Sequence, residues 1–189
     1  MRDYVYIYND KNESYLIVSG IEFEQLPKDN ITILLKHKYC NARIDLATRF
    51  EFIIKTDIDD LLQEDLYSWG DFVWASSNGD SVPKLGYDDV ARLLYFAHTG
   101  IMVGRFADTA INSAFFAHDD GWYLKCWYSD DSVIDRIVET IAQNNRLCGL
   151  DAASIKNSDN AYLIHNGDIR NIEKSQDIDM ILNHYLRRT

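Results

Sequence analysis

The chain has 189 residues, 47% of them hydrophobic and 13% aromatic, enough for one domain with a sizeable core. Its 30 acidic against 19 basic side chains leave a formal net charge of −11, a field that repels phosphate backbones and anionic lipid. Direct binding to nucleic acid or to a membrane surface is therefore not expected.

No apolar run reaches the length of a membrane span, and the opening MRDYVYIYNDKNE lacks a basic region followed by an apolar one, so a cytoplasmic chain is expected. The two glycosylation sequons, at Asn12 and Asn30, then have no chemical consequence. Cys40, Cys126 and Cys148 are scattered, with no C-x-x-C pair, and read as packed thiols rather than a disulfide framework or a zinc site.

In chain order, Tyr4 to Tyr8 and Tyr15 to Val18 are short apolar segments joined by NDKNES, the signal of a hairpin, and ITILLKHK follows as a third strand. From Arg43 to Lys55, Ile44, Leu46, Phe50, Phe52 and Ile54 share one parity and charged residues the other, which predicts a strand with one dry and one wet face. Helices are expected next. Thr56 with Asp59 resembles a capping box ahead of Ile58, Leu61, Leu62 and Leu66, and DDVARLLYFAH repeats at helical spacing.

Asp120-Gly121 lies between aromatic segments and Asn166-Gly167 between AYLIH and DIRNI, both hairpin turn signals. Each hairpin is followed by an amphipathic segment. One is capped by Ser132 with Asp135, and the other runs from about Asp177 to Arg188. The pattern predicts an α+β fold: a largely antiparallel sheet with about four helices. A single domain, 1–189, is expected to comprise a β-rich part at 1–56, a helical acidic segment at 57–98, and tandem strand-strand-helix units at 114–145 and 161–187.

The common phosphate-loop, dinucleotide, nucleophile-elbow, zinc-protease and calcium-loop motifs do not occur, and no cofactor is expected. Two histidines stand in similar triplets, YFAHTG and FFAHDDG. If His98 and His118 converge with Asp119, they form a two-histidine, one-carboxylate metal site or a general base with its orienting acid, and so a hydrolase. The alternative is that turn chemistry accounts for His118, Asp119 and Asp120, and that His98 answers the helix dipole.

From Asp57 to Asp89 nine carboxylates face only Lys84, interleaved with Tyr67, Trp69, Phe72, Trp74 and Tyr87. Helical spacing puts Asp57, Asp60 and Glu64 on one face, where their mutual repulsion costs stability, so helix formation does not ask for them. They read either as a solvated face over a core of aromatics, or as an interface with aromatic anchors inside an acidic rim. On the second reading Asp57, Asp60, Glu64, Trp69, Asp71 and Trp74 contact a basic protein. A nuclease toxin is one such partner, neutralised as bacterial immunity proteins do, because a nuclease must present cations to hold phosphate. A self-associating subunit is the third expectation, besides the hydrolase.

Overall fold

A computed structural model of the chain describes residues 4–21, 31–37, 50–54, 72–77, 85–107, 111–118, 123–144 and 149–174, with Met180 and His184. Nine strands are present among them: β1 (Tyr4–Asp10), β2 (Tyr15–Ser19), β3 (Ile31–His37), β4 (Phe50–Ile54), β5 (Phe72–Ser77), β6 (Ile111–His118), β7 (Tyr123–Tyr128), β8 (Ala161–His165) and β9 (Asp168–Ile172). Three helices accompany them: α1 (Tyr87–Thr99), α2 (Ser132–Asn144) and α3 (Ala152–Asn157). The strands form one sheet in the order β4-β3-β5-β6-β7-β2-β1-β8-β9, and every neighbouring pair is antiparallel. The fold is α+β, dominated by its sheet.

The first hairpin forms as expected, with Tyr6 opposite Ser19 and Asp10 opposite Tyr15. It lies in the interior of the sheet, between β7 and β8, and β1 and β2 are almost wholly buried. Because side chains alternate across a strand, the hairpin divides its residues between two cores. Val5, Ile7, Leu16 and Val18 face one side, where Val133, Ile134, Ile137, Val138 and Ile141 of α2 and Ile155 of α3 cover them. Tyr4, Tyr6, Tyr8, Tyr15 and Ile17 face the other, covered by Leu93, Phe96 and Ala97 of α1 and by Met102 and Phe106 after it. The central strands thus have two dry faces, which explains why their sequences are nearly unbroken apolar and aromatic runs.

One expectation needs correction, and another is met in part. The segment 57–98 is not helical throughout, since Phe72–Ser77 is a strand between β3 and β6. Its apolar middle, Val73, Trp74 and Ala75, is buried on both faces. Of the four helices expected, two are α1 and α2, the one after Thr56 lies outside the described residues, and Met180 and His184, in the last, are helical. Conversely, α3 was not expected. Asp151 caps it by accepting from the Ser154 N–H at 2.8 Å.

The hairpin-helix arrangement is present at β6, β7 and α2, and the β8–β9 hairpin turns on Asn166 and Gly167, both at positive φ (51° and 82°). The two turns differ in length, however. His165 pairs with Asp168 across two residues, whereas His118 pairs with Tyr123 across four. Among the described residues no helix is long and apolar enough to cross a membrane.

The α2 contact is the most easily tested part of the core. Ile137 is fully buried, so Ile137→Ala removes packed atoms and leaves a cavity, at a cost of about 3 kcal/mol in urea denaturation. The exposed Gln143→Ala on the same helix should shift stability by no more than about 0.5 kcal/mol.

Candidate functional site

The residues expected to contact a partner are not all where an interface needs them. Asp57, Asp60, Glu64, Trp69 and Asp71 lie outside the described residues. Trp74 is fully buried in β5, its ring stacked on Phe115 with centroids 4.6 Å apart and planes within 4°. It is a core residue, not a surface anchor, because β5 has strands on both sides and α2's core against its Trp74 face.

Asp89, counted with the acidic block, is also internal. At 1% exposure its carboxylate accepts from Arg92 Nη1 (3.0 Å), from the Ala107 N–H (3.0 Å) and from the Gly86 N–H (3.4 Å). It therefore caps the start of α1 and clasps the segment that follows that helix. The burial and pairing of Asp89 answer a structural need, and a capping carboxylate three residues into the helix was the sequence signal for it.

His98 is exposed in the last turn of α1, His118 ends β6, and Asp119 lies outside the described residues. Gly100, in left-handed conformation (φ 65°), terminates α1, and a Cβ there would meet Phe116 Cε1 at 3.5 Å. The end of α1 thus lies against a residue two positions before His118. Among the described residues no three histidine, cysteine, aspartate or glutamate side chains are grouped to hold a metal. Cys126 is fully buried, and that burial pushes its thiol well above the usual range, so it packs as an inert small side chain.

A site that the sequence did not reveal lies at one end of the sheet. The β1–β2 turn, the end of β7, the loop after α1 and α3 enclose a half-open cleft of about 510 Å³. Asn9 and Tyr128 lie at its base, where the Tyr128 hydroxyl donates to Asn9 Oδ1 at 2.7 Å. Trp127 forms part of the wall, held edge-on by Phe106 with centroids 5.5 Å apart. Around them stand Lys11, Arg105, Asp131 and Lys156. A second recess of about 220 Å³ shares Arg105, Trp127 and Ser129 with the cleft and adds Phe106, Ile111, Asn112 and Asp130.

Several contacts fix this end of the molecule. The Tyr128 N–H donates to the Ser14 carbonyl (3.1 Å) and the Ser129 N–H to the Asn112 carbonyl (2.8 Å). Tyr15 accepts from the Met102 N–H, tying the loop that carries Arg105 to the sheet, and the Asp89 clasp at Ala107 holds the loop's other end. Lys11 pairs with Asp159 at 3.7 Å and Lys156 with Asp135. The Ser132 N–H, donating at 2.7 Å, holds the Asp130 carboxyl below its ordinary range.

Comparison with protein-family models, with curated proteins and with solved structures finds no match.

Burial, followed by the neighbouring Asp131 charge, pushes Tyr128 up to about 12. An unfolded tyrosine loses its proton near 10, so between pH 10 and 12 the unfolded chain ionises here while the folded one does not. Stability contributed by this group is complete below pH 10 and declines as the pH rises through 12. Urea midpoints should fall over that window, and Tyr128→Phe, which has no proton to lose, should fall less steeply.

Proposed function

We propose that this chain is a binding protein that covers a basic protein partner, a nuclease toxin being the kind of partner that fits, and that it acts in the cytoplasm. The observation that carries the reading is a concentration of exposed carboxylates around α2 and α3. Asp131, immediately before α2, and Asp135 and Glu139 within it follow one another at steps of four, all exposed, as an acidic ridge. Asp130, Asp151 and Asp159 are exposed on the adjoining segments.

Asp135 is paired with Lys156 and sits favourably in the first turn of α2, so the fold accounts for that member, while Asp131 and Glu139 leave exposed negative charge on the same face. A concentrated acidic field speeds encounter with a cationic surface, and its effect is screened by salt. Asp57, Asp60, Glu64, Trp69 and Asp71 are proposed to extend the contact. Trp74 is excluded from it by its burial.

The test mixes a basic nuclease toxin, sought first in the gene immediately before this chain's own, with the purified chain in stopped-flow. Association should slow as salt rises, and Asp135→Lys with Glu139→Lys should slow it at least about tenfold. Inhibition of that protein's nuclease activity should weaken in parallel. A rate indifferent both to salt and to the charge reversal overturns the reading.

A second reading, a metal-dependent or His/Asp-dependent hydrolase using His98, His118 and Asp119, is favoured by the packing of Gly100 against Phe116. It expects stoichiometric metal in the purified protein, lost in the His98→Ala, His118→Ala variant. Elemental analysis that finds no bound metal rejects its metal form.

A further inference from the structure

The cleft at the sheet end holds charges of both signs, and most of them are already answered. Lys11 pairs with Asp159 and Lys156 with Asp135, both pairs partly exposed. Asp130, in the adjoining recess, is engaged by the Ser132 N–H. After these are set aside, one cation and one anion remain. Arg105 and Asp131 are both exposed, both line the cleft, and neither side chain makes a hydrogen bond or ion pair among the described residues. They do not neutralise one another.

Two opposite, uncompensated charges across one cleft are complementary to a ligand that carries both. A simple anion would meet Asp131, and a simple cation would meet Arg105 and the two lysines. A zwitterion satisfies the pair. The guanidinium suits a carboxylate, which it can grip with two parallel N–H donors, and the aspartate suits an ammonium group. The adjoining recess is lined by Phe106, Ile111 and Trp127 alongside Arg105, Asn112, Ser129 and Asp130, and its aromatic members suit an apolar or aromatic side chain. The cleft volume, 510 Å³, falls within the range of small-molecule sites.

The backbone around the pair is suited to holding it still. Arg105 lies between Tyr15's hold on Met102 and Asp89's hold on Ala107, so its loop is pinned on both sides. Asp131 is held by the start of α2, its carbonyl accepting from the Ile134 N–H at 3.0 Å. Such anchoring lowers the ordering cost of binding.

We propose that this cleft binds a free α-amino acid with an apolar or aromatic side chain, its carboxylate on Arg105, its ammonium on Asp131 and its side chain in the Phe106–Trp127 recess. The proposal shares Asp131 with the acidic surface assigned to a protein partner but does not rest on that reading.

Isothermal titration calorimetry with free L-amino acids, phenylalanine and leucine among them, tests it on the intact chain. Saturable binding is expected for the apolar and aromatic members and not for N-acetyl-phenylalanine amide, which has lost both charges. Arg105→Gln and Asp131→Asn, at exposed positions, should each weaken binding at least about tenfold, the usual worth of a charge-assisted contact. Circular dichroism serves as the check that both variants fold. No saturable heat from any free amino acid overturns the proposal, as does equal affinity for the doubly blocked compound. Binding lost in Arg105→Gln but unchanged in Asp131→Asn marks a plain anion site and overturns it as well.

Discussion

The structure depends on the double burial of the β1–β2 hairpin. Its strands occupy the interior of a nine-stranded sheet, and each presents one parity to α2 and α3 and the other to α1. It contributes to both cores. The hairpin also ties distant parts of the chain together, since β2 pairs with β7 and β1 pairs with β8, placing Tyr4 opposite His165. Such non-local pairing needs a large apolar return, and the six buried residues of β1 and five of β2, divided between both faces, supply it.

The two cores differ in chemistry, and the difference matters at the surface. The α2 side is mainly aliphatic, whereas the α1 side is lined by tyrosines, whose hydroxyls must find partners when buried. Tyr4 bonds Ser19 at 3.2 Å, and Tyr15 takes the Met102 N–H. The second of these fixes the loop after α1 onto the sheet. Phe106 from the same loop packs on Trp127. A core decision thus becomes a wall of the cleft, with Arg105 carried between the two anchors.

Much of the local structure was legible in the sequence because its causes are local. The Asn166-Gly167 turn needs positive φ at two successive positions, and those residue types tolerate it. The helix beginning near Asp88 and Asp89 and the one beginning at Ser132 both carry start signals followed by apolar residues at helical spacing. Other elements were missed. Phe72-Val73-Trp74-Ala75 is a short apolar run bounded by Gly70-Asp71 and Ser76-Ser77, the signature of a buried strand, but the surrounding acids drew it into an expected helical surface. Asp151 followed by Ser154 was a cap signal for α3 that went unread.

The sequence by itself determined the class of fold, the antiparallel hairpins, two of the helices and the strongly negative field, because periodicity, turn chemistry and charge act over a few residues or over the whole chain. Only the tertiary structure decided that Trp74 is core, that Asp89 is an internal clasp and that the β1–β2 hairpin is buried on both faces. It alone assembled the cleft, whose residues come from positions 9 to 156. The physical reason is the same in each case. A tryptophan or a carboxylate has the same local pattern whether it meets solvent or another strand, and the order of strands in a sheet, set by long-range pairing, determines which it meets.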